Sequence, residues 1–267
     1  MKLIFSEHNS DYSNYLFPYA IWAIPEVHET PAMIFTQGFL PSSRELDRFY
    51  LCRHIRINLK LFKPSSENRR ILRKGEGIHY ELIPQVKFEY TEAWREFCEN
   101  YADIKFGKDI MTYQRLDSLF NSKIISHLLL FTDIETNQDV GIATLYLEDK
   151  TLSYYYYAFY DLNYYTRNLG MYMMTSAVDY FAQSKFDYIY LGTCYSCNAL
   201  YKTQFSGFEF FNGFRWSDNL KELKYLIQRD KSMANQHLVE TEDYVKRFYE
   251  GELQKILEYN GFRINIQ

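Results

Sequence analysis

No stretch of this chain approaches the roughly 18 consecutive apolar residues of a membrane span, so no membrane partner is expected. The opening segment, Met1 to Tyr15, turns polar after Phe5, too soon for the apolar core of a secretory leader. Cysteine is scarce: Cys52, Cys98, Cys194 and Cys197 are the four in 267 residues. So few in a chain of this size make no disulfide framework, and a reduced, cytoplasmic protein is expected. The six histidines show no metal-ligand spacing. No Ser, His and Asp fall in an arrangement that would build a nucleophilic triad. Repeats, linkers and low-complexity tracts are absent as well.

Aromatic residues are abundant instead, with 26 Tyr, 21 Phe and 3 Trp making up 19% of the chain. Core packing and coding bias account for much of this, and aromatic faces also stack on bases. The net charge of −4 argues against a general nucleic-acid coat, and no DNA partner is expected. Between Arg44 and Lys74, however, ten Lys or Arg stand against three Asp or Glu. A local basic patch on an acidic protein suits the docking of one anionic ligand.

Residues 1–50 carry Pro18, Pro25, Pro31 and Pro41 and read as irregular. Ile55, Ile57, Leu59 and Leu61 then alternate with polar residues as in a half-buried strand. Pro64-Ser65-Ser66 opens a basic helix that ends before Gly75. Residues 91–120 read as two helices. Three strands follow, Ser126–Thr132, Gly141–Leu147 and Leu152–Tyr160, separated by Thr-Asn-Gln-Asp and Glu-Asp-Lys turns. A helix to about Gln183, a strand Tyr188–Leu191, a helix near Ser196–Phe205, a strand near Phe208–Phe214 and helices over about 219–260 complete the order. Three meander strands, a glycine turn into a helix, then strand, helix and strand is the order of the GNAT core. The expected class is α+β, a GNAT-like mixed sheet flanked by helices with a smaller N-terminal extension. The divisions expected are 1–75, a basic N-terminal region; 76–218, the transferase core; and 219–267, a C-terminal helical extension.

The turn Arg167-Asn168-Leu169-Gly170 opens the helix after the third meander strand. Backbone amides at a helix start attract anions, and a nearby Arg adds a direct contact. GNAT enzymes use an Arg/Gln-x-x-Gly turn here for the pyrophosphate of acyl-coenzyme A; Tyr172, two residues after Gly170, is expected to crowd such a group.

The ordered set Tyr157-Ala-Phe-Tyr-Asp161, Arg167-Asn-Leu-Gly170, Tyr188-Ile-Tyr-Leu-Gly192 and Tyr201-Lys202-x-x-Phe205 resembles the arginyl- and leucyl-tRNA–protein transferases. Gly38-Phe39, Cys52-Arg53 and Phe62-x-Pro-Ser-Ser-x-x-Arg69-Arg70-x-x-Arg73 extend the resemblance over roughly residues 35–215. It implies transfer of an amino acid from charged tRNA to an amine of a protein or peptide, as in N-degron tagging. The partners are then aminoacyl-tRNA and an acceptor protein or peptide. Family members carry an N-terminal cysteine cluster for iron–sulfur or zinc. Only Cys52 stands there in this chain, so no such cofactor and no metal are expected. Cys194-Tyr-Ser-Cys197 lacks the further ligands of a zinc site, and the resemblance implies a site-lining thiol there.

On this resemblance Asp161, Tyr190 and Tyr195 are the candidates to receive or relay the amine proton. Arg167, Asn168, Leu169, Gly170, Gly192, Tyr201 and Lys202 are the expected substrate contacts. Arg53, Arg56, Arg69, Arg70, Arg73 and Lys74 are the expected tRNA contacts. Two alternatives stay open: an acyl-coenzyme A-dependent GNAT N-acyltransferase, and a non-catalytic tRNA- or peptide-binding relative.

Overall fold

A computed structural model describes residues 1–232 and 236–258. The chain opens with β1 (Lys2–Glu7), β2 (Tyr19–Ile24), α1 (Pro31–Thr36), β3 (Phe39–Pro41) and β4 (Phe49–Leu51). Then come β5 (His54–Asn58), α2 (Ser66–Lys74), β6 (Ile78–Pro84), α3 (Glu92–Lys105) and α4 (Tyr113–Phe120). The meander is β7 (His127–Asp133), β8 (Gln138–Glu148) and β9 (Leu152–Tyr160), followed by α5 (Leu169–Gln183) and β10 (Tyr188–Thr193). A 3-10 segment, Cys197–Thr203, precedes β11 (Phe208–Phe211), β12 (Trp216–Ser217), α6 (Leu220–Lys231), α7 (Glu242–Tyr249) and α8 (Leu253–Glu258).

The α+β class is as expected: a large mixed sheet in the order β12-β11-β5-β10-β9-β8-β7-β6, with helices on both faces. All its pairs are antiparallel except β9 with β10. That single parallel pair, joined through α5, gives the GNAT-like arrangement, because a parallel return needs a crossover helix. No helix among the described residues is long and apolar enough to cross a membrane.

Residues 1–50 are not irregular. They build a second sheet, β1-β2-β4-β3, in which Lys2 pairs with Ile24 and Phe39 with Leu51. Its β3 and β4 strands have three residues each, too few to show a period, and β2 meets β4 only after α1 and β3. β6 likewise forms only against β7. The sheets also do not divide at residue 75, since β5 lies inside the large sheet between β11 and β10. The segment expected as a helix at 196–205 is the 3-10 turn Cys197–Thr203. All four cysteines are free thiols.

α2 begins on a capping box, with the Ser65 side chain accepting from the Asn68 amide and the Asn68 side chain accepting from the Ser65 amide. Its inner face buries Ile71 against α5, where Gly75 lies flat under the Tyr172 ring. α6 and α7 close the same face with Leu223, Leu226, Ile227, Tyr244 and Tyr249. Glu222 ties them down: fully buried, it accepts from Asn212 (2.9 Å), Tyr244 (2.7 Å), Tyr249 (3.2 Å) and Ser217 (2.7 Å). Capping the large sheet is thus what this C-terminal region does over its described part; residues 259–267 lie outside the described residues.

On the other face, His54 sits fully buried among Tyr190, Phe211 and Trp216. Its Nδ1 donates to the Cys52 carbonyl (2.9 Å) and its Nε2 has no partner, the pattern of a neutral ring. Burial pushes the imidazole down to about 3. Below pH ~6.5 the unfolded chain binds a proton there that the folded chain does not, so stability falls as pH drops toward 3. Removing the ring as His54→Phe is expected to flatten that slope by at most about 1.4 kcal/mol per pH unit. Denaturant unfolding of both proteins between pH 7 and 4 checks this, and equal slopes would contradict it.

Candidate active site

β9 and β10 pair over only three residues, Tyr188 with Leu152, Ile189 with Ser153 and Tyr190 with Tyr154. Two irregularities then drive the strands apart. On β9, Thr144 faces Tyr157 while Leu145 faces Tyr155, so Tyr156 is the extra residue of a bulge. On β10, the register against β5 shifts between Tyr190 and Gly192, and Gly192 takes a φ of +81° that favours glycine. A cleft of about 880 Å³ opens between them.

Its walls are Tyr154–Ala158 and Tyr160 of β9, Leu191–Thr193 of β10, and Asn168–Met171 at the start of α5. Tyr101, Lys105 and Phe106 at the end of α3, and Leu40, Pro41 and Tyr50 of the small sheet, close one side. The N-terminal sheet therefore helps build the site. Thr144, fully buried, holds the bulge: its hydroxyl accepts from the Tyr157 amide (3.0 Å) and donates to the Tyr157 carbonyl (3.3 Å).

Lys202 reaches into the cleft from the 3-10 turn and donates to the Thr193 carbonyl (3.0 Å). Burial lowers its ammonium below the ordinary lysine range. Lys105 is the other charged residue of the lining; among the described residues no Asp or Glu lines the cleft. Asn168, in the left-handed conformation (φ 57°), sets the start of α5 without a side-chain cap bond. Gly170 is needed because the Tyr160 hydroxyl lies 2.7 Å from where a Cβ would stand.

The expected site residues divide accordingly. Asn168, Leu169, Gly170, Gly192, Tyr201 and Lys202 meet at the cleft. Arg167 does not: its guanidinium bonds Asp133 (3.2 Å) and the carbonyls of Lys74 and Glu76, pinning α5 to the end of α2. Tyr172 turns inward and donates to the Ile78 carbonyl (2.9 Å), so it leaves the turn uncrowded, contrary to expectation. Asp161 accepts from the Asn163 amide (2.8 Å) and closes its own turn outside the cleft. Tyr190 is buried against Phe35 and Trp216, with burial pushing its phenol up to about 12. Tyr195 is half exposed and accepts from the Arg53 amide (2.8 Å).

The basic residues split too. Arg53 pairs with Asp230 (2.6 Å) over the Tyr195 ring. Arg56 is buried between Tyr188 and Trp216 and pairs with Glu209 (2.6 Å). These two are turned into the structure because flat rings and a carboxylate suit a guanidinium. Arg69, Arg70, Arg73 and Lys74 remain exposed along α2, which ends beside the start of α5. Sequence reasoning missed Tyr101, Tyr155, Tyr160 and Lys105; the run of four tyrosines at 154–157 was the available signal. It also missed Glu26, His28 and Glu29, which lie within ligand reach of one another, both carboxylates holding the Met1 ammonium.

An acid-free cleft at a parted parallel pair is where relatives can be compared. The chain is similar to aspartate/glutamate leucyltransferases. The protein of that name from Ruegeria pomeroyi is 25% identical over 189 residues, 67% of this chain and 68% of its own length. The one from Vibrio parahaemolyticus is 26% identical over 175 residues, covering 64% of this chain and 72% of its own. Among solved structures, L-PGS from Bacillus licheniformis aligns with a TM-score of 0.42 at 9% identity, over 67% of this chain and 64% of that one. FemX aligns with a TM-score of 0.40 at 10% identity, over 53% of each chain. No protein-family profile matches the chain.

Thr144→Val is expected to cost about 1–3 kcal/mol, because the Tyr157 amide and carbonyl both lose their partner, while Thr144→Ser retains most of it. Urea unfolding of the two variants checks this; equal losses would mean that the hydroxyl does not hold the bulge.

Proposed function

We propose that this protein is an aminoacyl-tRNA-dependent transferase that moves an apolar aminoacyl group, leucyl in class, onto the amine of a protein or peptide. The observation that carries the reading is the buried Lys202 ammonium in a tyrosine-lined cleft with no carboxylate. A cationic side chain such as arginyl or lysyl would find no counter-charge there, whereas an apolar one would meet rings. The names of the relatives pair leucyl transfer with Asp and Glu, so an acidic leading residue is the proposed acceptor class.

In the reaction the acceptor amine attacks the ester carbonyl of the charged tRNA. The C–N bond forms, the carbonyl electrons move onto oxygen, and collapse breaks the bond to the ribose oxygen, which takes up the amine proton. Lys202 donates to the oxyanion, and burial strengthens that contact because water does not compete. The α-amino group titrates near ~8, and a positive cleft favours its neutral form, so the amine needs no strong protein base. No proton passes through Asp161, Tyr190 or Tyr195 in this scheme, because the ribose oxygen takes it up. The tRNA approaches along Arg69, Arg70, Arg73 and Lys74, which lead to the start of α5.

Tyr172's inward turn favours one second reading, an acyl-coenzyme A-dependent transfer with the pyrophosphate at Leu169–Gly170.

Lys202→Met is expected to lower kcat/KM for transfer from leucyl-tRNA to a peptide about 100- to 1,000-fold, mostly in kcat. Since the working form is the ammonium, the wild-type rate rises as the acceptor amine deprotonates and falls again as pH passes the lowered Lys202 pKa. Label transfer across pH 6–10 checks both; a Lys202→Met enzyme with full kcat and the same alkaline limb would overturn the assignment.

A further inference from the structure

Tyr155 carries an unexplained feature. Its ring lines the cleft and it is 5% exposed, yet its hydroxyl has no hydrogen-bond partner. A buried hydroxyl left unpaired is unfavourable, and such groups are normally satisfied by protein, water or ligand. The start of α5 lines the same cleft. The Met171 amide donates to the Asn168 carbonyl (3.0 Å), Asn168 adds no side-chain cap to the Leu169 and Gly170 amides before it, and the helix dipole favours negative charge there. The Tyr160 hydroxyl sits at that first turn, beside Gly170. Lys105 and Lys202 are the charges that face the space.

We infer that Tyr155 and the Leu169 and Gly170 amides at the start of α5 form the pocket for the side-chain carboxylate of the acceptor's leading residue, and that Tyr155 selects Asp or Glu over Asn or Gln. The inference rests on the transferase reading above. The polar groups brought together at this end of the cleft offer donors: amide N–H, phenol O–H and ammonium. An ionised carboxylate only accepts, with lone pairs for several donors, whereas a carboxamide sets its own NH2 against some of them. A site built to pair a polar group rejects the analogue that leaves its donors unmet. An RNA phosphate is the competing occupant. It is disfavoured because the orphan hydroxyl is buried on a residue only 5% exposed, away from the open surface that a polymer backbone would follow.

The test uses the full chain, leucyl-tRNA labelled in the leucyl group, and peptides that differ only in a leading Asp, Asn, Glu, Gln or Ala. The wild type is expected to favour Asp over Asn and Glu over Gln by about tenfold or more in kcat/KM. Tyr155→Phe is expected to shrink both ratios about tenfold, through KM for the peptide, with its melting temperature unchanged because the hydroxyl has no partner to lose. Ratios preserved in Tyr155→Phe overturn the assignment. So does a rise in KM for leucyl-tRNA that is equal for every peptide, which would mark an RNA contact. A wild type indifferent to the leading residue removes this assignment alone. A wild type that transfers to no peptide removes the transferase reading and this assignment with it.

Discussion

The site depends on one event in the backbone, the parting of β9 from β10 after three paired residues. An eight-stranded sheet is otherwise continuous, and a continuous sheet offers no interior space. The bulge at Tyr156 and the left-handed Gly192 break the pairing from both sides, and the break stays open because its exposed groups find other partners. Thr144 satisfies the bulge, and Lys202 satisfies the Thr193 carbonyl. The start of α5 then sits at the wedge, since a parallel pair requires a crossover helix. Arg167 belongs to this framework, fixing α5 to α2 through Asp133 and two carbonyls.

The cleft has one sign of charge. Lysines 105 and 202 line it with tyrosines, and among the described residues no carboxylate does. In the proposed reaction this field stabilises an oxyanion, keeps an amine neutral and attracts an acidic acceptor by the same Coulombic preference. The arginines nearest in sequence to the expected RNA surface do other work. Arg53 and Arg56 are held through Asp230, Glu209 and aromatic faces, whereas the row on α2 stays exposed.

Much of the large sheet was legible in the sequence. The meander strands are runs separated by polar turns, and β9 runs over Leu152–Tyr160 as its pattern indicated. The helix after Gly170 ends at Gln183 as its periodicity suggested. The N-terminal sheet and β6 were not legible, because β3 and β4 have three residues each and β2 and β6 depend on the later strands β4 and β7. Of the site, Lys202 and the Asn168–Gly170 turn could be found from motif order. Asp161 and Tyr190 sit at strand ends in the sequence, yet the backbone turns one into a loop contact and the other into the core. Tyr155 was hidden within four consecutive tyrosines, whose facing is set by a bulge that no periodicity reveals.

In the proposed function this cleft reads an aminoacyl ester on RNA. The most direct measurement is equilibrium binding of leucyl-tRNA, uncharged tRNA and acetyl-coenzyme A to the purified protein at two salt concentrations. Leucyl-tRNA is expected to bind tightest, and all tRNA binding to weaken with salt, as phosphate contacts do. Tight acetyl-coenzyme A binding with no preference for charged tRNA would contradict it.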